Sequence, residues 1–149
     1  MKAGQYFSLI AGIFFLVLGL MGLIPGLVHY AAATSPTSEA YGMGYGYILG
    51  AIPTNGIHNF IRIVAGVAGI VASLTLGSAR TYSRAIAVFY GLFALLGLLP
   101  YTNTLFGTVP IFGSDVLLHG LSAAIAFYYG FLASPGLLEL SSNNPQQSA

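Results

Sequence analysis

The chain has 149 residues, of which 56% are hydrophobic and 5% charged, with four Lys or Arg, three Asp or Glu and no Cys. So few charges cannot clothe a soluble domain, whose apolar share averages about half. The net charge of +1 and the lack of any basic cluster exclude a nucleic-acid partner, and the lack of Cys excludes disulfides and thiol chemistry.

Four apolar runs follow in chain order, at about 5–28, 56–76, 82–99 and 114–133. Each is about 18–24 residues, enough to cross a hydrocarbon core of roughly 30 Å at 1.5 Å per residue. Lys2 and Ala31-Ala32-Ala33 give the first run some features of a cleaved signal. It is longer than the apolar stretch of about 7–15 residues in such signals, so it reads as the first helix of the fold. Pro25, Pro53, Pro100, Pro110 and Pro135 mark run boundaries. The expected fold is all-α: a four-helix transmembrane bundle forming one domain over 1–139. The polar, aperiodic tail at 140–149 reads as disordered.

Between the first two runs, Tyr41-Gly42-Met43-Gly44-Tyr45-Gly46-Tyr47 alternates glycine with large residues. Aromatics at a membrane boundary read as an interfacial loop lying against the headgroups, with a gate or lid as the alternative. Arg80 and Arg84 flank the connection between the second and third runs, and Lys2 stands near the start. The connections on the other side, about 30–55 and 101–113, carry no Lys or Arg. The excess of positive residues on cytoplasmic loops then places both termini in the cytoplasm, in a bacterial inner membrane or a thylakoid membrane.

The chain also repeats itself. Gly50, Pro53, Gly56, His58 and Arg62 recur at the same spacing as Gly107, Pro110, Gly113, Asp115 and His119. Phe14, Gly22, Leu23 and Pro25 likewise match Phe89, Gly97, Leu98 and Pro100. This pattern implies one helical hairpin duplicated, with a longer loop in the first copy. Ala65 and Gly69, with Gly66 beside them, and Gly12, Gly19 and Gly22 in the first run are small residues that let helices approach closely in lipid.

The repeat places four polar residues in the second and fourth helices: His58 and Asp115 in the first turns, Arg62 and His119 four residues deeper on the same faces. Ionisable groups in spanning helices face the bundle interior and find partners. The simplest pairing is Arg62 with Asp115, His58 and His119 completing the network. His29, taken as the end of the first helix, reaches the same level. Each residue has a purely structural explanation: a helix dipole for Asp115, snorkelling for Arg62, interhelical hydrogen bonds for the histidines. The matched spacing equally suits a clasp that binds or moves something, and protonation of His58 or His119 beside Arg62 would add like charge and loosen it. His and Asp are ligand types that suit zinc or copper, but no two His stand i, i+3 or i, i+4 and Arg62 would repel a cation. No metal and no cofactor is therefore expected. No nucleophile–base arrangement, phosphate loop or acid pair points to catalysis.

In Gly50-Ala51-Ile52-Pro53-Thr54-Asn55 leading into His58-Asn59, and in Asp115-Val116-Leu117-Leu118-His119, the chain resembles a family of small four-helix bacterial membrane proteins catalogued only as a domain of unknown function. The resemblance covers about 5–133 and implies a four-helix membrane fold without an activity. The family pattern has a second His four residues after the first, where this chain has Arg62, a departure that argues against a histidine-rich metal or cofactor site. In size and layout, though not in motif, the chain is also similar to quinone-linked four-helix proteins of the DoxX type. The expected function is a non-enzymatic accessory or stabilising membrane subunit, partnered by the bilayer and by other membrane subunits or copies of itself. The alternatives are a small-solute or proton pathway or sensor built on His58, Arg62, Asp115 and His119, and a redox or cofactor-binding subunit. Only Ser73, Thr75, Ser122, Tyr128 and Tyr129 could line the inner halves of the second and fourth helices, which disfavours a pathway.

Overall fold

Glycines set how closely the first two helices approach. A Cβ on Gly12 would stand 2.5 Å from the Ile70 backbone nitrogen and 2.8 Å from the Gly66 carbonyl oxygen, and one on Gly19 would stand 2.8 Å from the Asn59 carbonyl oxygen. The computed structural model describes residues 1–31, 44–133 and 136. These are mostly helical, in four α-helices: α1 (Ala3–Met21), α2 (Gly56–Ala72), α3 (Leu76–Gly97) and α4 (Ser114–Phe127). The last runs on into a π-helical turn, Tyr128–Leu132. The main packing is α1 along α2 and α3 along α4, and the two pairs meet chiefly through α3. Residues 41–43 of the glycine–tyrosine loop and the tail at 140–149 lie outside the described residues.

The helices begin where the sequence supplies caps. The Asn55 side chain accepts from the His58 backbone N–H at 2.8 Å and opens α2. The Thr75 hydroxyl accepts from Ser78 N–H at 3.2 Å and opens α3. The link between α2 and α3 is thus only 73–75. Arg80 and Arg84 lie within α3 and do not flank a loop, because the Thr75 cap starts the helix earlier than the apolar run suggests. At the far end of α4 the π turn leaves the Gly130 carbonyl to accept from Arg84 Nε at 2.9 Å, and the Arg84 guanidinium sits 5.0 Å from the Phe131 ring centre.

An all-α fold is corrected in one place. After α1 and a 3-10 turn (Pro25–Leu27), strands β1 (Val28–Tyr30), β2 (Gly46–Ile48) and β3 (Ile52–Thr54) form an antiparallel sheet in the order β1-β2-β3. The first helix therefore ends at Met21, short of the expected 28. The cause is local. Val28, Tyr30, Tyr47, Ile48 and Ile52 are β-branched or aromatic, and Leu49 and Gly50 turn the chain with φ of 50° and 73°. Two buried apolar residues of this sheet, Val28 and Ile48, pack with Leu18, Met21, Ile52 and Leu118 over the ends of the helices. Its last strand leads through Asn55 straight into α2.

The main core gathers Phe15, Tyr82, Ile86, Tyr90, Phe93, Val109, Ile111, Ala123 and Ala126. The distribution of polarity runs against that of a water-soluble domain. Ile10, Ile13, Phe14 and Val17 of α1, Val64, Val67 and Val71 of α2, Val88, Leu92 and Leu95 of α3, and Leu117, Leu121 and Ile125 of α4 are all exposed. Ser8, Asn59, Arg62, Ser83, Asp115 and His119 are buried. Two helical stretches, Ala3–Met21 and Ser114–Leu132, are long and apolar enough to cross a membrane.

Close packing at Gly12 reverses the usual sign of a helical Gly→Ala change, which gains up to about 1 kcal/mol from propensity. Gly12→Ala is expected to lower stability by about 1–3 kcal/mol, because the methyl meets backbone that must shift. Gly4→Ala, with nothing within 4 Å, is expected to be neutral or stabilising. Thermal unfolding of the two purified variants checks the contrast.

Candidate functional site

Arg62 is the most deeply buried Lys or Arg side chain among the described residues. It is 1% exposed, and α2 carries it to the underside of the sheet. Its Nη2 donates to Asp115 Oδ1 at 2.6 Å and to the Pro53 carbonyl at 3.3 Å, and its Nη1 donates to Thr54 Oγ1 at 3.0 Å. The Thr54 hydroxyl in turn donates to Asn59 Oδ1 at 2.5 Å, and Asn59 Nδ2 donates to the Gly22 carbonyl at 2.9 Å. The guanidinium thus starts a chain of hydrogen bonds running from α4 through β3 and α2 to the end of α1. A Cβ on Gly22 would overlap the Asn59 amide, so glycine there is what admits the last link.

Two more bonds tie the α1–α2 half to the α3–α4 half at this level. Asn55 Nδ2 donates to the Thr108 carbonyl at 2.7 Å, and Ser114 Oγ donates to the Ala51 carbonyl at 2.6 Å. Asp115 stands in the first turn of α4, where the helix N-terminus favours a carboxylate.

His58 and His119 complete the cluster from opposite helices. His58 Nε2 and His119 Nδ1 each lie 3.3 Å from Asp115 Oδ2, and the two rings are 5.6 Å apart. Neither contact has hydrogen-bond geometry: both nitrogens and Oδ2 are buried without a hydrogen-bond partner. Tyr90 at 4.7 Å and Phe93 at 5.2 Å, edge-on, wall the His119 ring, and the Tyr90 hydroxyl is also buried without a partner.

The structure brings His58, Arg62, Asp115 and His119 together. It does not bring His29, which lies exposed on β1, because the chain leaves the helix before reaching it. Sequence reasoning missed Thr54, Asn59, Tyr90 and the Pro53 carbonyl. Thr54 and Asn55, standing just ahead of an apolar helix, carried the signal of a cap. The role of Asn59 had none, since its partner lies at the end of another helix.

Residues 5–132 match the family described as a domain of unknown function, DUF4383. The chain belongs to that family. The match takes in the whole polar cluster, and the family description carries no activity. No curated protein and no solved structure matches the chain.

A buried pair is tested by removing it one partner at a time. Arg62→Ala is expected to cost about 3–5 kcal/mol, since it strands a buried carboxylate. Asp115→Ala added to it should cost little more, and unfolding of the wild type, both single variants and the double variant gives the coupling. Additive losses would mean that the two residues do not meet.

Proposed function

We propose that the chain is an integral membrane protein, a four-helix transmembrane bundle of two duplicated hairpins. In this reading it is a non-enzymatic accessory or stabilising subunit whose polar clasp locks the hairpins together near the outer surface. One observation carries the reading: large apolar side chains stand exposed along all four helices, while Asn59, Arg62, Ser83, Asp115 and His119 are buried between them. Lipid rewards that arrangement and water does not. α2, at 17 residues, reaches about 25 Å, the short end of the spanning range.

The duplication gains support from the backbone. Leu49 and Gly50 have φ of 50° and 73°, and their counterparts in the repeat, Phe106 and Gly107, have φ of 57° and 86°. Non-glycine residues rarely adopt this conformation, so its recurrence at matched points favours a common template. Lys2, Arg80 and Arg84 fall at one end of the bundle and the clasp at the other, which supports cytoplasmic termini. The reading places the chain in a bacterial inner or thylakoid membrane.

The clasp end and the opposite end differ in kind. In the lower half Ser73 Oγ donates to the Ile70 carbonyl at 2.6 Å, Ser83 Oγ to the Ala79 carbonyl at 2.8 Å, and Tyr82 to the Ala65 carbonyl at 3.1 Å. These hydroxyls are turned onto backbone and leave little to line a water path. This favours a stabilising subunit over a solute or proton pathway.

Alkaline extraction and cysteine labelling test the membrane reading, helped by a chain with no native Cys. The protein should stay in the membrane pellet. An impermeant thiol reagent added to intact cells should label Thr108→Cys and spare Ser78→Cys. Release by alkali would refute integral insertion, and labelling at 78 would invert the topology. For the subunit reading, purification in mild detergent should yield another membrane protein or further copies of the chain in stoichiometric amount, with no visible-range chromophore. A bound flavin, haem or quinone would argue for a redox subunit instead.

A further inference from the structure

We infer that His58, Asp115 and His119 form a binding site for a divalent transition-metal ion of the zinc type, with Arg62 positioning the carboxylate. The inference rests on the geometry of the cluster and not on the membrane reading. Three donor atoms of suitable chemistry, His58 Nε2, His119 Nδ1 and Asp115 Oδ2, converge inside the protein, and all lie within 4.8 Å of one another. Each is buried and lacks a hydrogen-bond partner, a costly state for a polar atom. A single cation among them satisfies all three.

The distances suit a tetrahedral ion. Two ligands about 2.0–2.1 Å from such an ion stand about 3.3–3.4 Å apart, and both nitrogen-to-Oδ2 separations are 3.3 Å. The remaining separation needs to close by about 1.5 Å at most, within reach of small rotations of the two rings. The Pro110 backbone lies against His58 and offers the kind of carbonyl to which a ligating imidazole gives its other N–H.

Of the three arguments from sequence against a metal, the family departure at Arg62 speaks only against a histidine-rich site, and the geometry alters the other two. No two histidines share a helix face, but Asp115 and His119 do, at i, i+4 on α4, and His58 faces them from α2. Arg62 carries a positive charge, but it holds Oδ1 and leaves Oδ2 to the imidazoles. One carboxylate then serves two cations from its two oxygens. The guanidinium weakens the site relative to one without it.

The test is metal binding by the full chain, purified, stripped with chelator and dialysed against Zn2+ or Co2+. One ion per chain is expected. Four-coordinate Co2+ should give strong visible absorption, a readout of the ligand set that needs no substitution. His58→Gln and His119→Gln should each lower affinity at least tenfold. His29→Gln, which removes the third histidine of the chain, should leave affinity unchanged. A folded wild type that takes up no ion, or that shows only the weak spectrum of six-coordinate Co2+, would overturn the site. So would loss of the ion in His29→Gln with retention in the other two. None of these results bears on alkaline extraction, so the metal site and the membrane reading fail separately.

Discussion

An arginine kept away from solvent governs the upper half of this molecule. Placing an ionised side chain in a low-dielectric interior costs several kcal/mol unless its charge and its donors are met. Arg62 is met by one carboxylate, one hydroxyl and one carbonyl, and two local devices supply them. Asp115 arrives because Gly113 and Ser114 start α4 beside it. Thr54 and the Pro53 carbonyl arrive because β3 runs directly into the Asn55 cap of α2. The sheet is more than a loop that chances to be extended. It is the platform that holds two of the three partners of Arg62 in place.

The same requirement explains why side-chain hydrogen bonds between distant segments gather at the clasp end. Around the clasp, Asn55, Asn59 and Ser114 spend side-chain hydrogen bonds on backbone carbonyls of distant segments. Further down, the α1–α2 contact at Gly12 is backbone close against the backbone of Gly66, Gly69 and Ile70. Such packing gains from close van der Waals contact and is indifferent to whether the outward face meets water or lipid. The outward face itself, rich in exposed Val, Leu, Ile and Phe, is what the proposed membrane reading rests on.

The sequence already showed much of this, for reasons that can be named. The helices were legible because long uncharged runs admit few other structures, and α2 and α4 start within a residue or so of where the Pro and Gly signals put them. The Arg62–Asp115 pairing was legible because equal spacing on two helices left those charges few other partners. The sheet was not, because three-residue strands carry too little pattern to read, and the pairing of β1 with β2 joins residues about 16–20 apart in sequence. The position of His29 failed with it, since a helix carried to residue 28 delivers that side chain somewhere quite different from a strand.

The central claim is that the apolar faces of the helices meet lipid and the polar cluster does not. The chain has no tryptophan, so single introduced ones report their own surroundings in vesicles containing brominated phospholipid. Val67→Trp and Leu92→Trp, on outward faces, should be strongly quenched by the lipid bromines and shielded from iodide in the water. Phe93→Trp, in the buried core beside His119, should be spared by both. Outward tryptophans quenched by iodide and untouched by bromolipid would contradict the account.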